Sequence, residues 1–153
     1  MFSRCFCVLV LMLSLFVLVG CADHRVRVSM SATGDLNLNE TEDPLPVVVR
    51  IYQLNDDGEF TKAAFTHLWK DDLKALRGSL LTRDEVVMNP ASQMVLDYPW
   101  HEQARFVAVM GVFRAPGDAH WRDVRPLNDG YFGRRAAGKI KVRFKNNTLE
   151  MVD

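Results

Sequence analysis

Leu18-Val19-Gly20-Cys21, at the end of an apolar run, constrains this chain more than any other stretch, because it decides which residues can take part in a fold. Met1 to Arg4 is short and positively charged. Cys5 to Val19 is then apolar apart from Ser14. That length suits the apolar region of an export signal and is short for a spanning helix, which needs roughly 20 apolar residues. The four residues that follow read as a lipobox. A thiolate can be alkylated by a diacylglycerol donor, and small neighbours let a peptidase reach the backbone. The sequence therefore predicts a cleaved signal over 1–20, a lipidated Cys21 opening a tether over 21–24, and a folded domain over 25–153. The expected modification is a diacylglyceryl group plus an N-acyl chain on Cys21. One chain binds a membrane only marginally, and two or more anchor stably. Ala22 follows the cysteine where enteric-type sorting would read aspartate as an inner-membrane signal, which points to the periplasmic face of the outer membrane.

The 153-residue chain less its first 20 leaves 133, enough for one domain with its own core. Cys5 and Cys7 leave with the signal and Cys21 is consumed by lipid, so no cysteine remains for a disulfide. Packing must carry the stability. Of 19 basic residues only Arg4 is lost, leaving 18 against 19 acidic, a mature balance of −1. No basic stripe interleaved with aromatics appears, so no nucleic-acid partner is expected.

Arg25 to Met30 alternates polar residues with Val26, Val28 and Met30, the period of a half-buried strand. Ala32 to Leu45 reads as a long acidic loop, with Leu36 and Leu38 isolated in it. Val47 to Leu54 is a β-branched run, with Val47, Val49, Ile51 and Gln53 on one face and the opposite set as the alternative. After the turn Asn55-Asp56-Asp57-Gly58, the period becomes helical: Phe60, Ala63, Ala64 and Leu68, then Trp69, Leu73, Leu76 and Leu80 on a shifted face. This predicts a short helix followed by a second or kinked one, with Gly78 as a stop. Strands are predicted at Asp84 to Met88, Gln93 to Tyr98, Arg105 to Arg114, His120 to Val124, Lys139 to Lys145 and Thr148 to Val152. Arg105 to Arg114 is apolar enough to be covered on both faces. Asn146-Asn147 suits a two-residue hairpin turn. Residues 125–138 read as irregular. Seven or eight short strands with one helical insertion predict an all-β antiparallel sandwich.

At Pro46-Val47-Val48-Val49-Arg50-Ile51-Tyr52-Gln53-Leu54 the chain resembles the outer-membrane lipoproteins of the type VI secretion system, the TssJ (VasD) family. Further blocks agree in order: Phe60, Ala63, Phe65 and Leu68; Leu76 to Pro90; Arg105 to Arg114; and Trp121-Arg122, all behind the lipobox. One departure is Ala91, where the family usually has glycine after the proline. The resemblance implies a transthyretin-like sandwich and no enzyme activity or small-molecule substrate. It implies that the protein tethers the periplasmic part of the inner-membrane protein TssM to the outer membrane. It also implies that the loop between the first two strands makes that contact: Asn37, Leu38, Asn39, Glu40, Thr41, Glu42, Asp43, Pro44, Leu45 and Pro46. Leu36 and Leu38 would be its apolar anchors.

Other residues read as structural. His24, His67, His101 and His120 lack metal-ligand spacing, so no metal site is expected. Ser79 and Ser92 form no nucleophile elbow. Trp69, Trp100 and Trp121 suit core or edge positions, and Arg134-Arg135 an exposed loop. The competing functional reading is a lipid-anchored, periplasm-facing module for a small ligand or cell-wall glycan. That reading needs a concave apolar pocket with converging polar groups; the adaptor reading needs a protruding loop.

Overall fold

The computed structural model describes residues 25–116, 120–127 and 139–152. The expected signal, lipidated Cys21, His24 and Arg134-Arg135 lie outside them, as does most of the segment 125–138. None of the described helices is long and apolar enough to cross a membrane.

The strands are β1 (Arg25–Ala32), β2 (Val47–Leu54), β3 (Leu80–Met88), β4 (Gln93–Pro99), β5 (Phe106–Val112), β6 (Arg122–Pro126), β7 (Lys139–Lys145) and β8 (Thr148–Val152). Between β2 and β3 lie α1 (Gly58–Lys62) and α2 (Phe65–Ala75). Two four-stranded sheets form, ordered β4-β1-β7-β8 and β3-β2-β5-β6. Among the described strands every pairing is antiparallel except β1 with β7, which is parallel. Nothing local marks that exception, since the partners lie more than a hundred residues apart in sequence.

The period-two patterns place the core. In β1, Val26, Val28 and Met30 are buried while Arg25 and Arg27 are exposed; β7 buries Ile140, Val142 and Phe144 and exposes its four basic residues. From the other sheet Val47, Val49 and Ile51 are buried, at 1%, 0% and 4% exposure. They lie on one strand face, as the β-branched run predicted. Tyr52 and Leu54 are buried as well, on the opposite face, which the helices cover. β5 is apolar throughout for the same reason, with Val107 to Met110 wholly buried. Burial of each such side chain contributes roughly 1.5–3 kcal/mol.

The helical segment forms the expected short helix followed by a second, kinked one, but the faces do not follow the expected spacing. Ala63 and Ala64 are extended, so the face of Phe60, Ala63, Ala64 and Leu68 is split between two helices. Asp71 has non-helical angles (φ −155°, ψ 69°) and kinks α2. The kink leaves Trp69 and Leu73 exposed at 47% and 58%, while Leu68 and Leu76 are buried. Helical spacing alone could not separate those pairs. β3 also starts at Leu80, four residues before the predicted Asp84, because Leu54 pairs with Leu80 across a register shift.

Arg122 joins the helices to the sheet. Its guanidinium donates to the carbonyl oxygens of Phe60, Thr61 and Ala63, the unpaired acceptors at the end of α1. It also lies 4.3 Å from the centre of the Trp121 ring. The Trp121-Arg122 pair was visible in the sequence, but its role depends on where α1 ends in space.

Candidate functional site

The two ends of the sandwich differ in kind. Arg25, Pro99, Leu54 and Phe106 lie at one end, as their pairings show. The loop after β1, the turn before β4 and the β7–β8 turn gather at the other. There Asn37 N donates to the Asn146 carbonyl, Thr33 N to Phe144 and Ala91 N to Thr33. β1 runs between the two ends, about 23 Å for eight residues. The described chain therefore enters the sandwich with Arg25 at one end and presents its long loop at the other.

That loop is braced rather than slack. Asn39 Oδ1 accepts from Thr41 N at 2.9 Å and from Asp43 N at 2.8 Å, with the Thr41 hydroxyl oxygen 2.8 Å away. The Thr41 hydroxyl also lies 2.6 Å from an Asp43 carboxylate oxygen, and Asn39 N donates to the Asp43 carbonyl at 3.0 Å. Hydrogen bonds from Thr41 and Asn39 hold the Asp43 carboxyl below its ordinary pKa, so it stays charged. Leu45 N donates back to Leu36 O and closes the base. Glu42 takes a positive φ of 62° to make the turn. Arg114, just beyond β5, pairs with Glu40 at 2.6 Å.

Among the ten loop residues singled out by sequence, Glu40, Thr41, Glu42, Asp43, Pro44 and Pro46 are exposed; Leu38, Asn39 and Leu45 are half-buried. Asn37 is 5% exposed, and its amide donates to Pro46 O and accepts from Arg114 N. It shapes the loop and offers no surface. The expectation of two apolar anchors is corrected: Leu36 is fully buried in the core and Leu38 half-buried. Isolation among polar neighbours in sequence says nothing of isolation in space, and β7 and its turn lie beneath the loop. The outward face of the loop is acidic.

A feature the sequence did not disclose adjoins the loop. Val48 pairs with Val87 on one side and Val112 on the other, making an apolar row across β3, β2 and β5. Val87 is 51% exposed. The row ends beside the loop, since Val112 precedes Arg114 by two residues and Val48 follows Pro46 by two. Only strand pairing makes these three valines neighbours.

The densest charged cluster lies elsewhere. Asp72 on α2 accepts from the Tyr52 hydroxyl at 2.8 Å and from Arg83 Nε at 2.7 Å, and Arg50 lies 3.2 Å away. Glu85 pairs with both arginines, at 2.8 and 2.7 Å. Burial opposes ionisation of Asp72, but bonds from Arg83 and Tyr52 and both positive charges outweigh it, and its pKa is lowered. Burial, then the Asp72 bond, pushes the Tyr52 phenol up. A carboxylate held ionised beside a phenol held neutral does not exchange protons near neutrality. The cluster ties α2 to its sheet.

A cleft of about 590 Å³ opens at the Arg25 end, lined by Val26, Ile51, Tyr98, Trp100 and His101 among others. Some of its polar side chains are engaged internally: Gln53 donates to Pro99 O and accepts from His101 N, and the Tyr98 hydroxyl donates to Asp84. His67 and His120 are exposed on separate elements, and no group of three metal-ligating side chains forms among the described residues. Ser79 is buried and donates to Glu59.

A β-sandwich with helices over one sheet, its chain entering at one end and a rigid acidic loop at the other, defines a structural or interaction module. The chain belongs to the type VI secretion lipoprotein family (VasD, EvfM, TssJ), whose model matches residues 24–147. No curated protein sequence matches it. It is similar to Serratia marcescens Lip, a membrane-bound component of the type VI secretion system, at 22% identity and TM-score 0.76, covering 84% of this chain and 97% of that one. A chain of a type VI membrane complex matches at 26% identity and TM-score 0.75, covering 85% and 98%. A chain in a structure described as the TssM C-terminal domain from EAEC matches at 24% identity and TM-score 0.69, covering 84% and 98%. The chain is thus a type VI secretion lipoprotein.

Proposed function

We propose that this lipoprotein is a non-enzymatic adaptor. Three acyl chains on Cys21 hold it at the periplasmic face of the outer membrane. Its loop over 37–46, with the adjoining Val87-Val48-Val112 row, grips the periplasmic domain of a TssM-like inner-membrane protein. The observation that carries the reading is the placement of a braced, outward-facing loop about 23 Å from the strand end where the tether joins. A rigid loop loses little conformational entropy on binding. Family membership and the likeness to a chain in a TssM structure support the choice of partner.

Calorimetry of the domain with and without Leu38 to Asp43 replaced by a glycine-serine linker tests the contact. Lost affinity for the TssM-like domain with unchanged thermal unfolding supports the loop; equal affinity rules it out. Cys21→Ser tests the anchor, since serine lacks the thiol: palmitate incorporation should disappear and an uncleaved precursor accumulate. The small-ligand or glycan reading has the 590 Å³ cleft in its favour. Titration of the unaltered domain with cell-wall fragments should give no heat, because Gln53, Tyr98 and Asp84 in the cleft are already engaged internally.

A further inference from the structure

We propose that the outer face of the β4-β1-β7-β8 sheet is a docking surface for anionic phospholipid headgroups. The proposal rests on the lipid-anchored reading of Cys21 for its geometry. Successive rows across this face read Pro99–Arg25, Asp97–Arg27–Lys139, Val95–Ser29–Lys141–Val152, Gln93–Ser31–Arg143–Glu150 and Lys145–Thr148. Among the described residues of this face, Arg25, Arg27, Lys139, Lys141, Arg143 and Lys145 are exposed bases and Asp97 and Glu150 the acids, a net charge of +4. The whole chain has formal net charge +0, so this face departs sharply from the rest of the molecule. Neither described helix covers it, since α1 and α2 both lie on the opposite sheet.

Two further observations select a membrane. Arg25 follows Cys21 by four residues, which span at most about 14 Å. A lipid on Cys21 therefore keeps the central strand β1 at the headgroup level, where a basic face meets anionic lipid without ordering a longer tether. A shallow groove of about 240 Å³ also runs across the middle of the face, lined by Ser29, Ser31, Val95, Lys141 and Arg143 among others. Cationic and hydroxyl groups in one groove suit a phosphodiester, and Val95, 62% exposed, can sit among headgroups at no polar cost. With this sheet on the membrane, the Val87-Val48-Val112 row faces the periplasm. Each basic residue near an anionic surface strengthens binding about fivefold, so the face orients a molecule that the acyl chains hold.

The test uses full-length lipoprotein reconstituted in vesicles of phosphatidylethanolamine and phosphatidylglycerol (3:1), or of phosphatidylcholine alone. Val95→Cys or Val87→Cys carries an environment-sensitive fluorophore, and flotation after a high-salt wash reports the anchor separately. We expect the probe at 95 to shift toward an apolar environment in the anionic vesicles only, reversibly with 0.5 M salt, and the probe at 87 to stay unshifted. Lys139→Glu with Lys145→Glu brings the face to neutrality and should abolish the shift while flotation persists. Equal signals at 95 and 87, equal signals in the two lipids, or a shift that survives the charge reversal would overturn the proposal. So would a reversal that leaves the shift intact but weakens the TssM-like domain, which would assign the face to a protein partner. Protein washed off by salt that still shows the low-salt shift at 95 would leave the face standing and sink the lipid anchor instead.

Discussion

Asn37 Oδ1 accepts the backbone N–H of Arg114 at 2.9 Å, across 77 residues of chain. The same side chain donates to the Pro46 carbonyl at 2.9 Å, and its backbone holds a φ of 51°. One buried amide thereby fixes both ends of the loop to the end of β5. Asparagine suits the position because it tolerates left-handed angles and offers both a donor and an acceptor.

Asn37→Ala should therefore lower stability by about 2–4 kcal/mol. Two part-buried backbone groups lose their partners at about 1–3 kcal/mol each, partly rehydrated, and the methyl group is strained at positive φ. Asn37→Gly removes the strain and should recover about 1 kcal/mol of that loss. Urea midpoints of the three proteins check the order; an alanine variant as stable as wild type would mean the loop holds its shape without this amide.

Acid should loosen the attachment of α2. The folded pKa of Asp72 is lowered, so its stabilising contribution is fully present above the unfolded value of about 3.9 and is lost as pH falls through the lower folded value. Glu85, held down chiefly by its bond from Arg50, acts in the same direction. Tyr52→Phe removes one donor to Asp72 and should cost about 1–2 kcal/mol at pH 7. That gap should narrow below about pH 4, as the carboxylate protonates in both proteins. Denaturant midpoints at pH 7, 4 and 3 read it directly, and a constant gap would exclude Asp72 as the responsible acid.

Ile51 lies in the inter-sheet core at 4% exposure, so Ile51→Ala should cost about 2–5 kcal/mol. With no cysteine among the described residues, that is a large part of the stability of a small domain. A wild-type denaturant midpoint for the variant would contradict the register of β2.

Ala91 stands where the family usually has glycine, and its φ is 52°. The tight turn between β3 and β4 imposes that angle, and alanine adopts it at a cost of roughly 1–2 kcal/mol. Ala91→Gly relieves the strain and gives part of the gain back to unfolded-chain entropy. The expected net effect is stabilisation by up to about 1 kcal/mol, seen as a Tm rise of a few degrees; a lowered Tm would show that the turn does not need a left-handed residue.

The sequence by itself determined the features carried by local pattern. Val26, Val28 and Met30, and again Ile140, Val142 and Phe144, alternate with charge, and a period of two admits only a strand with one face buried. Asn146-Asn147 marked a hairpin turn, which the structure makes with Asn146 at φ 50°. The β2 motif marked the family. Tertiary structure decided whatever depends on neighbours distant in the chain. It paired β1 with β7 in parallel, and it buried Leu36, which reads as a loop residue. It exposed Trp69 and Leu73, which read as one helical face with Leu76, in a helix kinked at Asp71. It aligned Val87, Val48 and Val112 into one row and gathered six basic residues from two strands onto one uncovered face. Periodicity fixes which way a side chain points from its own strand or helix. Whether another element covers it is settled only when the sheets close and the helices dock.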